Sequence, residues 1–183
     1  SINGDLHITK EEKEKVNKYL PNEDFIIIQP ESHKLGKSYP FKKIQNIVNQ
    51  LKDKIKIIQI SPESFAKKKS NFLKGVTCHK GIFSYRETLY FASHAKCCLL
   101  PEGGFAIGMS CFESKNIVIY HGVFNPVMTA YPNDIIIRVC DETHSSCYNG
   151  SQRINEGKAC KICQKFYDNH DETIILNEIK KLL

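Results

Sequence analysis

At 183 residues with 41% apolar content, the chain can bury one substantial core and has little room for a second full domain. Ten Phe, eight Tyr and a 25% charged fraction describe a globular chain and exclude a disordered one. The formal charge of +6 favours anionic partners, yet only three arginines contribute (Arg86, Arg138, Arg153) and the lysines are scattered or interleaved with Glu. That pattern reads first as solvated surface, then as a sugar-phosphate or membrane-surface role, and last as a nucleic-acid face.

Taken in chain order, Thr9 with Glu12 forms a capping box that opens a charged helix, and Pro21 stops it. Phe25–Ile28 is a continuous apolar run, the pattern of a strand buried on both faces. Pro40 opens a second helix with Phe41, Ile44, Ile47, Val48 and Leu51 at helical spacing. Strands are expected at 55–60 and 75–78. Ser84 with Glu87 is a second capping box, starting a helix through Leu89, Tyr90 and Ala92. A strand over 95–100, a short helix over 105–112, strands at 117–120 and 135–139, and a closing helix over 171–183 complete the series. Strands separated by helices are the βαβ signature, so the expected fold is an α/β, Rossmann-like three-layer domain with a mostly parallel sheet. One domain over 1–183 is expected, with 1–20 as a leading linker helix and 140–170, where the alternation lapses, as a cysteine-rich insert.

No apolar run approaches the roughly 18 residues that suggest a membrane span, and no signal peptide pattern is present. A cytoplasmic protein is therefore expected, and the opening Ser1-Ile2-Asn3-Gly4 reads as a cut or processed start. Of the eight cysteines, Cys78, Cys97, Cys98 and Cys111 lie in apolar runs and read as small buried hydrophobes. Cys140, Cys147, Cys160 and Cys163 lie in a polar segment. The Cys160–Cys163 spacing suits two thiolates on one metal ion, with Cys140 and Cys147 completing a tetrahedron around structural Zn or Fe. His144 is a substitute ligand, and ordinary thiols, a redox pair or disulfides are the competing readings.

Ligands of open α/β sheets sit beyond the carboxyl ends of the strands. Two such junctions stand out. The first is the polar loop from Gln29 to Pro40, where Lys37 could reach a phosphate and Ser32 or Ser38 could donate to it. The second is Pro101-Glu102-Gly103-Gly104-Phe105. Its glycines let backbone approach a diphosphate, and Glu102 can accept from a ribose hydroxyl. Both also read as solvated or tight turns, with Gly108 serving only close packing. Glu31 is a candidate base; His79, His94 and His121 could each face a cleft but read first as packed core or rim residues, and His121, just after a strand, is the best placed of the three. Gly-x-Ser-x-Gly, His-Glu-x-x-His, a phosphate-binding P-loop and G-x-G-x-x-G are all missing, which argues against those hydrolase, NTPase and dehydrogenase classes.

Five segments in order carry a resemblance. They are the charged helix Thr9 to Leu20 leading into Phe25–Ile28; Gln29-Pro30-Glu31-Ser32 with Lys37-Ser38-Tyr39-Pro40; Ser84-Tyr85-Arg86-Glu87; Glu102-Gly103-Gly104; and His121-Gly122-Val123-Phe124. Together they resemble the C-terminal, nucleotide-sugar donor-binding domain of the heptosyltransferase family (glycosyltransferase family 9), which has the two-domain GT-B fold. The chain departs from the family's usual pattern at Glu31, at Tyr39 and at Ala106-Ile107, where Gly, Trp and a His are customary. The resemblance implies a donor such as an ADP-sugar, with Lys37 and Ser32 at its phosphates, Glu102 at the ribose, and Gly103 and Gly104 presenting N–H to the diphosphate. It further implies direct displacement with inversion and no metal needed for chemistry. The general base would be supplied by an N-terminal GT-B domain, so this stretch alone would bind a donor and catalyse little. The acceptor would be an anionic lipid-linked molecule such as lipopolysaccharide, or a protein, at the inner membrane face. Relatives that modify bacterial autotransporters carry a four-cysteine iron-binding finger in a comparable late position. The alternative is a metal-stabilised α/β module binding a protein or nucleic acid.

Overall fold

Alternate side chains of a strand leave on opposite faces, so a strand that is apolar throughout must be covered on both. Phe25–Ile28 (β1) meets that condition, with all four residues buried. The computed structural model describes residues 4–32, 37–61, 72–120, 125–140 and 161–183. Within them β1 is joined by Lys56–Ser61 (β2), Thr77–Lys80 (β3), Cys98–Pro101 (β4), Asn116–Tyr120 (β5) and Asp134–Arg138 (β6). The six strands form one sheet in the order β3-β2-β1-β4-β5-β6. Every pairing is parallel. The strand order reverses between β1 and β4, which is the topological switch point of a doubly wound sheet.

The pleat sorts the core into two clusters. Ile26, Ile28, Ile57, Leu99, Ile117 and Ile119 face helices Phe41–Leu51 (α2), Lys161–Asn169 (α6) and Thr173–Leu182 (α7). Phe25, Ile27, Ile58, Ile60, Leu100 and Val118 face Lys10–Asn17 (α1), Tyr85–Ala92 (α3) and Gly104–Met109 (α4). A four-residue helix, Pro126–Thr129 (α5), follows β5. Helix, sheet and helix are thus the three expected layers.

Both capping boxes form, at Thr9–Glu12 and Ser84–Glu87. Each box glutamate also holds the other helix. Glu12 takes Arg86 of α3 at 2.7 Å, and Glu87 takes Lys15 of α1 at 2.8 Å. The leading helix is therefore clamped to the helix that borders the cleft described below. Pro40 caps α2 from outside its first turn, one position earlier than expected. Tyr39, beside it, is buried with its hydroxyl 2.8 Å from His170 Nδ1, which ties the start of α2 to the corner between α6 and α7.

Three sequence expectations need correction. The fourth strand begins at Cys98 and not at 95. The third strand begins two residues later than 75, because Gly75 adopts a positive φ of 81° that strand geometry does not accommodate. The stretch after 160 holds α6 where no regular structure was expected. Cys163, Phe166 and Tyr167 repeat at helical spacing and face the core, and Cys163 and Tyr167 are buried there.

Gly108 marks the closest approach of α3 and α4. A Cβ placed on it would meet the Tyr85 hydroxyl at clashing range and lie 2.8 and 2.9 Å from the two Leu89 methyls. Gly108→Ala is therefore expected to destabilise the protein by about 1–3 kcal/mol, the usual cost of overpacking, despite the better helix propensity of alanine. Urea denaturation measures this; an unchanged or raised midpoint would show that the two helices separate without cost.

Candidate functional site

A cavity of about 420 Å³ opens over the carboxyl ends of four strands. It runs from the β4 turn (Pro101 to Phe105), across the switch-point loop at Gln29 and Ser32, past Ile60 and Ser61 of β2, to His79 and the Gly81–Phe83 turn after β3. The parallel order of the sheet produces this arrangement, since it brings all four carboxyl ends to one edge.

Four of the five expected binding residues line this cavity: Ser32, Glu102, Gly103 and Gly104. The fifth, Lys37, does not line it and is tied to it through Glu102. Its Nζ donates to Glu102 Oε1 at 2.6 Å, and both side chains are at most one-tenth exposed. The lysine expected at a phosphate and the carboxylate expected at a ribose are thus partners in a buried ion pair bridging the β1 and β4 loops. Burial holds the Glu102 carboxyl above the usual range, while the hydrogen bond and charge of Lys37 pull the other way. The pair brings the cleft a fixed dipole; neither member acts alone.

Gly103 and Gly104 have open space above them: a Cβ on either would meet nothing within 4 Å. Gly103 has φ 158°, which glycine adopts without strain, and the chain enters α4 directly after it. Ser32 is buried, and its N–H donates to Ser38 Oγ at 3.0 Å, so Ser38 shapes the loop. Tyr85 donates to the Gly104 carbonyl at 2.6 Å and stands edge-on to Phe105, fixing the glycine turn against α3.

Of the far end of the cleft, only His79 stands out in the sequence. Ile60, Ile82 and Phe83 form apolar walls there, and His79 stands among them. Two buried polar atoms along the cleft, Gln29 Oε1 and His79 Nδ1, have no hydrogen-bond partner among the described residues. The amide of Gln29 is oriented by its Nε2, which donates to the Glu31 carbonyl at 2.8 Å. His94 packs on Tyr90 at the end of α3, with Nδ1 2.8 Å from the Tyr90 carbonyl, and does not line the cleft. His121, Gly122, Val123 and Phe124 lie outside the described residues, as do His33 to Gly36.

The cysteine expectation is covered only in part. Cys147, Cys160 and His144 lie outside the described residues. Cys140 and Cys163 are buried together in the cluster beneath α6 and α7, which departs from the expected polar segment. Among the described residues, no group of three or more His, Cys, Asp or Glu could hold a metal ion. No described helix is long and apolar enough to cross a membrane.

No protein-family model and no curated protein matches the chain. Solved structures do resemble it. The chain superposes on the glycosyl transferase family 9 protein from Veillonella parvula with a TM-score of 0.70 at 12% identity, covering 100% of this chain and 54% of that one. For the ADP-heptose lipopolysaccharide heptosyltransferase II of E. coli the TM-score is 0.69 at 12% identity, covering 97% and 53%. For TibC, a dodecameric iron-containing heptosyltransferase in complex with ADP-D-β-D-heptose, it is 0.67 at 12% identity, covering 89% and 46%. The chain therefore spans about half the length of the proteins it resembles. Its fold is a Rossmann-like α/β domain with a parallel sheet, consistent with the C-terminal half of a GT-B fold. Within that class, the fold is of the kind seen in the heptosyltransferases.

Proposed function

We propose that this chain is the donor-binding half of a glycosyltransferase that uses a nucleotide-diphosphate sugar, with an ADP-sugar favoured. The observation that carries the reading is the open backbone at Gly103 and Gly104, set beside the Lys37–Glu102 pair at the switch point of the sheet. A diphosphate on that turn would meet backbone N–H groups, the start of α4 and the ammonium of Lys37. These donors would neutralise charge as it develops on the departing diphosphate. Glu102, an acceptor, suits a ribose hydroxyl and not a phosphate oxygen.

Two of the solved structures it resembles are described with ADP-heptose or an analogue of it bound, and this supports a heptose-like donor. A second GT-B lobe would supply the acceptor site and the general base. The acceptor would be an anionic lipid-linked saccharide or a protein, and the enzyme would work in the cytoplasm at the inner membrane face. Calorimetric titration with ADP-, GDP-, UDP- and CDP-sugars tests the reading. At least one is expected to bind, with affinity falling sharply when the diphosphate is removed. Failure of all four would refute it.

We also propose a structural Zn or Fe ion held by Cys140, Cys147, Cys160 and Cys163. That Cys140 and Cys163, which bracket the other two cysteines in sequence, lie in one cluster supports it, and TibC, whose fold the chain resembles, is described as iron-containing. Elemental analysis of untagged protein should find about one Zn or Fe per chain, lost when Cys160 and Cys163 are both changed to Ser. Metal-free protein of unchanged stability would rule the site out.

A further inference from the structure

We infer that Tyr39, through its hydroxyl bond to His170, is a positioning residue: it fixes the backbone that carries Lys37 and so keeps the Lys37 ammonium against Glu102. The consequence for a bound nucleotide rests on the donor-binding reading above. Lys37 lies two residues ahead of Tyr39, and its side chain reaches across to the β4 turn, where Nζ meets Glu102 Oε1 at 2.6 Å. A lysine side chain has many rotamers, so it delivers its charge to one place only when the backbone it leaves from is held. Ser38 supplies one anchor by accepting from the Ser32 N–H at 3.0 Å. Tyr39 supplies the other.

The Tyr39 ring is 2% exposed and stands edge-on to Tyr167 at 6.2 Å and to His170 at 5.5 Å, between centroids. Its hydroxyl lies 2.8 Å from His170 Nδ1. His170 is a fixed point because the corner it occupies is clamped to α2. Lys43 of α2 donates to the His170 carbonyl and, at 3.0 Å, to the Asp168 carbonyl, and its ammonium lies 3.5 Å from Glu172. Asn46 of α2 also donates to Glu172, at 2.9 Å. Burial and the charge of Lys43 favour the neutral His170 ring against the opposing pull of Asp171 and Glu172. In the Nε2–H tautomer, Nδ1 then accepts from the Tyr39 hydroxyl, which burial keeps protonated. Phenylalanine would fill the same space. The hydroxyl adds a directed bond to a clamped partner, and that bond sets where the chain passes from Lys37 into α2.

The test first reads the ion pair itself, by following the Glu102 carboxyl through a pH titration with NMR. Tyr39→Phe should move that carboxyl further above the usual range than in the parent, because a loosely placed ammonium stabilises the carboxylate less. His170→Ala should do the same, and carries the comparison if Tyr39→Phe does not fold. His170→Asn places an oxygen near the Nδ1 position and should return the titration toward the parent's. Ile47→Val, a small cavity in the same core cluster, should lower the thermal midpoint without moving Glu102. The second readout is binding of ADP, or of whichever of GDP, UDP and CDP binds, against its nucleoside. Tyr39→Phe should weaken the diphosphate roughly three- to tenfold, the range of one neutral hydrogen bond, and leave the nucleoside unaffected. Made in Lys37→Met/Glu102→Gln, the same substitution should change diphosphate affinity by less than about twofold, since the group it acts through is gone. The inference is overturned if Glu102 titrates alike in the parent and the folded variant, or if that variant binds the diphosphate as the parent does. Equal weakening with and without the Lys37–Glu102 pair overturns it too. If no nucleotide binds the parent, the donor-binding reading falls and the Glu102 titration alone decides the role of Tyr39.

Discussion

Replacing Lys37 with alanine is expected to destabilise the fold by about 3–5 kcal/mol, because it leaves Glu102 as a buried carboxylate without its ammonium. Glu102→Gln in the same chain should restore most of that loss, since the neutral amide no longer needs a counter-charge. The pair spans two loops that sequence separates by 65 residues, so its removal also frees the β1 loop from the β4 turn. Urea denaturation of the two single variants and the double variant measures the coupling. Additive losses would mean that the two groups do not interact in solution.

The same pair dictates how a phosphate role must be tested. A binding defect in Lys37→Ala alone mixes lost contact with lost structure. The informative comparison is between Glu102→Gln and Lys37→Met/Glu102→Gln, which differ only in the ammonium. Removing the ammonium should weaken nucleoside diphosphate binding about ten- to hundredfold, the range of a charge-assisted contact, and leave the bare nucleoside unaffected. An equal effect on both ligands would remove Lys37 from the diphosphate site.

Gly104→Ala is expected to move stability and binding in opposite directions. Gly104 occupies the first position of α4, and a Cβ there meets nothing within 4 Å, so alanine costs no contact. It also lowers the entropy of the unfolded chain, a gain of about 0.4–1 kcal/mol. The methyl would occupy the space through which a diphosphate reaches the backbone, lowering affinity by about tenfold or more, equivalent to one lost hydrogen bond to a charged group. Denaturation and calorimetry on one preparation read both. Unchanged affinity with raised stability would show that the open backbone is merely a turn.

The sheet was legible because its strands are extreme in composition. Phe25–Ile28 and Asn116–Tyr120 are buried at every residue, and such runs admit few other readings. The capping boxes were legible because their chemistry is local, spanning four residues each. Helix α6 was not, since its apolar stripe includes Cys163, and a cysteine two residues beyond Lys161 reads equally well as a ligand. The glycine turn after β4 and the loop after β1 could be placed because any parallel sheet presents these ends together. What the turns would do to one another could not. Lys37 and Glu102 meet only through the switch in strand order, and no local pattern encodes that meeting. Ile60 and Phe83 were hidden for a different reason: an apolar residue at a strand end looks the same in sequence whether it faces a core or a cleft.

On the proposed function, the cleft at the switch point receives a nucleoside diphosphate on the Gly103–Gly104 backbone. Amide chemical-shift mapping tests this most directly, by titrating isotope-labelled protein with ADP, and with GDP, UDP and CDP in parallel. Saturable shifts are expected for at least one diphosphate, largest at the Gly103 and Gly104 amides, extending to Ser32 and to His79. Much smaller shifts are expected at the glycines with the corresponding nucleoside. Shifts from all four diphosphates that avoid the glycine turn, or no shifts at all at millimolar ligand, would contradict the proposed function.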